Sequence, residues 1–246
     1  MVSNEHFEGQ FIFFCCVRLI HVVKIEGEGL SYEAINIRTT ITWIFTYLIV
    51  CGIIPAALEQ LIWGTTENAV SAWLHLLTLI ALNILFILVL KTKYQLKLGI
   101  FSNISLSGIL LAFGCSILFF LLLDNFLDPF FDRLFMASAD EYKRAIEQLR
   151  QYPTVSFIRI CLLAPVVEEI FIRGWVLNSL RKKYGVILAL LLSTLFFAVL
   201  HFNFVQTLSA AIAGFILGLL YIKTGSLFCC ILAHSLYNTI SYFTII

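Results

Sequence analysis

The chain has 246 residues, 61% of them hydrophobic and 13% charged, and a mean hydropathy of +0.96. Soluble domains run at about 45–50% apolar and about 25% charged, so an ordinary soluble globule is excluded and a polytopic membrane protein is indicated. The net charge of +1, without a basic tract, gives no footing for a nucleic-acid partner.

Residues 1–40 are the least membrane-like part. Their start, Met1 to Gly9, lacks the positive region of a signal peptide, so no cleavage is expected. Phe11 to Val23 is apolar but carries Arg18 and His21 and is too short to span, which predicts a short interfacial helix. The polar stretch from Glu26 to Glu33 reads as a loop. Apolar runs of bilayer length then follow at 41–62, 69–90, 104–123, 154–180, 184–205, 207–223 and 226–246. They predict an all-α helix bundle of about seven transmembrane helices. Trp63 and Trp73 flank the first outward loop, where interfacial aromatics belong.

Lys91, Lys93 and Lys97 follow the second run, Arg181, Lys182 and Lys183 the fourth, and Lys223 the sixth. Positive residues favour the cytoplasm, so the pattern predicts a multi-pass protein of the plasma membrane with its N-terminus inside. The loop after the third run is acidic. Its second half, Ala139 to Tyr152, is amphipathic and predicts an extracytoplasmic surface helix ended by Pro153. The chain thus divides into an interfacial segment (1–40), N-terminal spans with the amphipathic helix (41–153), and a segment carrying the chemistry (154–246). Seven scattered cysteines show no Cys-x-x-Cys pair and read as small hydrophobes within the apolar runs.

The fourth run, Val155 to Leu177, contains Glu168, Glu169 and Arg173. Intramembrane carboxylates cost at least a few kcal/mol unless they face protein or water, and are functional candidates for that reason. Glu169 and Arg173 are four apart and can neutralise each other on one helix face. Glu168 points about 100° away and is left for another partner. Pro165 removes a backbone donor just before the pair and predicts a kink. His201 closes the segment from Phe196 and shares a face with Phe197, while His234 and Asn238 share a face of the last run.

Glu168 and His201 can position and deprotonate a water. His234 and Asn238 can donate hydrogen bonds to the oxyanion formed when that water attacks an amide. Glu168, His201 and His234 could instead make a His₂Glu zinc site, but the His-Glu-x-x-His helix of familiar zinc proteases is absent. No cofactor is expected, with zinc as the alternative. A fifth run beginning at Tyr184 places His201 near its outer end, so a single site requires that run to start later or to tilt.

The order Glu168-Glu169-x-x-x-Arg173, Phe197-x-x-x-His201, His234-x-x-x-Asn238 resembles the CPBP (Abi) family. These are intramembrane proteases related to CAAX prenyl endopeptidases and bacteriocin-processing enzymes. The resemblance covers roughly residues 154–242. It implies that Glu168 and His201 activate water, that His234 and Asn238 stabilise the oxyanion, and that Glu169 and Arg173 support them. The expected partners are a peptide or lipidated-peptide substrate and the lipid bilayer. A non-proteolytic immunity or scaffold protein with the same fold is the competing reading. A proton-coupled transporter is a further one, disfavoured because no internal repeat is visible.

Overall fold

The computed structural model describes residues 35–59, 61, 69–201 and 203–245. The predicted interfacial helix, the loop after it and Trp63 lie outside them. Among the described residues every regular element is a helix. In chain order these are α1 (Ile37–Leu58), α2 (Ala69–Tyr94), α3 (Leu106–Leu134), α4 (Met136–Arg150), α5 (residues 153–184), α6 (residues 186–199), α7 (Phe204–Thr224) and α8 (Leu227–Ile245). Helices α1, α2, α3 and α7 are each long and apolar enough to cross a membrane by themselves. Helix α5 carries the charged motif, α6 is short and α8 carries the polar one, so these three do not qualify on length and composition alone. The protein is an all-α membrane bundle.

Local sequence sets the helix boundaries. Asn36 caps α1 by accepting from the Thr39 backbone N–H, and Ser105 caps α3 by accepting from Gly108. Each satisfies one of the backbone donors that a helix start leaves unpaired. Pro153 opens α5 rather than ending the amphipathic helix, which stops at Arg150. A proline at the first helical position loses nothing, because that N–H has no acceptor in the helix.

The predicted run 184–205 is broken at both ends. Gly185 takes φ 79°, a conformation that side chains disfavour, and there α5 ends and α6 begins. At the other end α6 stops at Val199, where the Leu200 and His201 N–H groups turn back onto the Phe197 and Ala198 carbonyls. Extended Asn203 then caps α7. His201 therefore sits in a turn between two helices and not within a span.

Helix α8 packs against α3, α5 and α7, and α6 packs along α7. On the far side of α5, Tyr47, Trp43, Phe86 and Tyr94 form an aromatic cluster with Phe171 and Trp175. The Trp43 indole N–H donates to the Tyr94 hydroxyl at 2.8 Å, so the cluster leaves that polar group paired. Outward faces keep Phe45, Ile49, Leu77, Leu85, Leu110, Leu121 and Leu191 exposed. Such an apolar exterior is what lipid demands. Helix α5 is consequently enclosed by aromatic packing on one side and by α8 on the other, and its Glu169 and Arg173 are buried against protein.

Candidate active site

Glu169 is fully buried, and its Oε1 accepts from Arg173 Nη1 at 2.9 Å. Arg173, 1% exposed, uses Nη2 to donate to the Gly214 carbonyl at 2.9 Å and lays its guanidinium 4.5 Å from the Phe197 ring centre. The cation is thus met by a carboxylate, a carbonyl and a ring face, which offsets its desolvation. Gly214 makes this approach feasible: a Cβ there would lie 2.8 Å from Phe197 Cδ1. No sequence motif pointed to Gly214. The small residues around it in α7 were the available signal.

His234, 7% exposed, brings Nδ1 to 3.0 Å from the same Glu169 oxygen. The carboxylate that the sequence pairs with Arg173 is therefore shared with His234, an arrangement that helical spacing could not reveal. Four residues on, Asn238 Nδ2 donates to the Ile160 carbonyl at 2.9 Å, and four further on the Tyr242 hydroxyl donates to the Pro153 carbonyl at 2.6 Å. One face of α8 is pinned to α5 at three heights, in antiparallel register. Tyr242 extends the His234–Asn238 spacing by one helical turn and was legible there as the third member.

Helix α5 is not uniform. Wide π turns at Ile158–Leu163 and Ile170–Leu177 flank the ordinary α turn Ala164–Glu169. Pro165 cannot donate backward to Cys161, which accounts for the first wide turn. A wide turn takes up extra residues and rotates the helix beyond it. Glu168 here faces a cavity of about 420 Å³, whereas Glu169 points into the protein interior. Among the described residues no side chain hydrogen-bonds Glu168, whose charge reaches Tyr47 only through space.

His201, His234 and Asn238 line the same cavity as Glu168. His201 Nδ1 lies 3.1 Å from the Phe197 carbonyl oxygen, an acceptor, so Nδ1 carries the hydrogen and Nε2 is left to accept. Phe197 also touches both imidazoles edge-on, at 5.2 Å from His201 and 5.7 Å from His234. It is the hub that spaces Arg173, His201 and His234.

Amphipathic helix α4 roofs the cavity with Tyr142, Ala145, Ile146 and Leu149. It is stapled to the His201 turn: Ser138 Oγ donates to Asn203 Oδ1 at 2.9 Å, and Asn203 Nδ2 donates to the Ser138 carbonyl at 2.7 Å. Burial, reinforced by the Asp128 carboxylate, pushes the Tyr142 phenol up to about 12, so it remains a neutral group over the cavity. Asp128, Asp132 and Arg159 also reach the cavity wall. Asp128 and Asp132 belong to the stretch that reads as an acidic loop in the sequence but continues α3 in the structure, and no motif singles out Arg159.

Among the described residues no three His, Cys, Asp or Glu side chains converge into a group able to hold a metal ion. The alternative set of Glu168, His201 and His234 borders one cavity without closing into a ligand cage, and His234 Nδ1 is directed at Glu169.

Residues 150–240 match a family described as Type II CAAX prenyl endopeptidase Rce1-like. Neither the curated proteins nor the solved structures contain a match. The matched segment runs from the last residue of α4 into α8 and includes all seven motif residues.

Proposed function

The chain belongs to the CPBP family through residues 150–240, and on that premise we propose that it is an intramembrane endopeptidase cleaving a prenylated, CAAX-like peptide with water activated by Glu168 and His201. The observation that carries this reading is the division of labour between adjacent carboxylates. Glu169 is committed to Arg173 and His234, while Glu168 lines the cavity without a hydrogen-bond partner among the described residues.

In the proposed reaction a water lies between Glu168 and His201, with His201 Nε2 accepting one of its hydrogens. Glu168 takes a proton as the water oxygen attacks the scissile carbonyl, forming a C–O bond and moving the carbonyl electrons onto oxygen. The oxyanion is met by the second N–H of Asn238 Nδ2, whose first is held by Ile160, and by His234 Nε2. Because His234 Nδ1 already donates to Glu169, donation from Nε2 requires the imidazolium form. Collapse of the intermediate breaks the C–N bond, and Glu168 returns its proton to the leaving amine. The products are a carboxylic acid and an amine, and Glu168 is again a carboxylate. The proposed setting is the plasma membrane, with the N-terminus cytoplasmic.

The test is hydrolysis of an S-farnesylated peptide by purified protein in detergent, read by mass spectrometry of the released fragments. Wild-type protein is expected to cut it and Glu168→Gln to leave it whole. Wild-type turnover by Glu168→Gln would overturn the assignment. A scaffold protein would cut nothing, and its cellular effect would survive the substitution.

A further inference from the structure

The cavity that holds Glu168 is electrically lopsided. Asp128 and Asp132 stand on the α3 wall, and Arg159 stands on the α5 wall. Ser209 donates to Asp128, so that carboxylate has a partner. Arg159 has none of this kind. Ion pairs among the described residues join His75 to Glu59, Arg173 to Glu169 and His234 to Glu169, and Glu59 acts on Arg159 only through space. Arg159 is exposed where it borders the cavity, and a guanidinium there with no described ion-pair partner is open to an anion.

We propose that Arg159 binds the C-terminal carboxylate of the peptide substrate, and so sets which bond lies against Glu168. This rests on the endopeptidase reading and deepens it. Nine positions separate the two residues, about 13 Å along the axis at about 1.5 Å per residue. The wide turn at Ile158–Leu163 rotates the helix between them, and both side chains border one cavity. An extended peptide advances about 3.3 Å per residue, so a terminal carboxylate on Arg159 brings a bond three or four residues upstream to Glu168. The guanidinium fork matches a carboxylate in a paired, planar geometry. Asp128 and Asp132 on the facing wall repel the same carboxylate and favour the one orientation.

The experiment measures binding, so that it stands apart from turnover. Glu168→Gln protein is titrated with a fluorescein-labelled, S-farnesylated peptide ending Cys-Val-Leu-Ser, as the free acid and as the C-terminal amide. The acid is expected to bind about 10–100-fold more tightly than the amide, as a charge-assisted pair provides. Adding Arg159→Met should bring that ratio to about 1, and Arg159→Lys should leave it intermediate, since an ammonium keeps the charge and loses the fork. Each ratio is internal to one protein, so a lower folded yield does not alter it, and Arg159→Lys serves alone if Arg159→Met does not fold. An unchanged ratio without the guanidinium, or no preference for the acid at the start, overturns the proposal. If the acid is preferred through Arg159 while wild-type protein cuts neither peptide, the endopeptidase reading falls and the carboxylate site stands. If wild-type protein cuts both equally well and binds them equally, the reverse holds.

Discussion

His234 and Arg173 approach the same oxygen of Glu169, at 3.0 and 2.9 Å, from helices α8 and α5. That shared oxygen couples the supporting ion pair to a residue of the cavity wall. Disturbing the pair therefore reaches the candidate chemistry as well as the fold.

The two adjacent glutamates should separate by substitution. Glu168→Gln is expected to keep wild-type thermal stability and lose hydrolysis. Glu169→Gln leaves Arg173 as an uncompensated buried cation, and breaking such a pair costs about 3–5 kcal/mol. Thermal unfolding in detergent distinguishes them. Equal melting temperatures for the two variants would show that Glu169 is not the structural member.

Arg173→Ala should lower both folded yield and activity, because it leaves the buried Glu169 with His234 alone and removes the group packed on Phe197. A paired change, Glu169→Gln with Arg173→Met, removes both charges and should recover part of the stability, since buried ion pairs are replaceable by neutral groups of similar volume. Activity should stay low in that variant, because His234 has lost its anionic partner. Wild-type stability in Arg173→Ala alone would count against the pairing.

Gly214→Ala tests the hub. Its methyl group would arrive 2.8 Å from Phe197 Cδ1, so the ring must move, and overpacking of this kind costs about 1–3 kcal/mol. The shift would carry to both histidines. Expected are a reduced melting temperature and a fall in kcat larger than any change in KM. Unaltered kinetics would mean that Phe197 does not set the spacing of His201 and His234.

Asn203→Ala should loosen the roof. It removes the cap of α7 and both hydrogen bonds to Ser138, and loss of such a cap typically costs about 1 kcal/mol. Hydrogen exchange across α4 should quicken relative to α6 and α7. Ser138→Ala should produce a smaller change of the same kind, since the Ser138 carbonyl still accepts from Asn203. Unchanged α4 protection in Asn203→Ala would show that the roof is held elsewhere.

Hydrolysis is expected to persist after exhaustive chelation, with Glu168 and His201 activating water directly. In that scheme His234→Ala slows turnover by about 10²–10³-fold, as loss of an oxyanion donor does elsewhere, and leaves the protein's metal content unchanged. Stoichiometric zinc in active protein, removed by His234→Ala, would reverse the assignment.

Local rules account for the features that sequence alone determined. Runs of apolar residues specify membrane helices because lipid leaves backbone groups no other partner. Four-residue spacing specifies the Glu169–Arg173 pair and the shared face of His234 and Asn238, and the order of three motifs marks the resemblance. Everything beyond one helix was decided by packing. Glu169 meets His234 across 65 positions, and Arg173 meets the Gly214 carbonyl across 41. Those contacts depend on which faces of α5, α7 and α8 are turned together, and no intrahelical period records that. The first wide turn of α5 hides a further relationship, since it rotates Arg159 relative to Glu168 away from regular helical phase. The break at Gly185 and the stop at Val199 then bring His201 to the cavity that Glu168 lines, because in an apolar run the ends of a helix are set by backbone hydrogen bonds more than by composition.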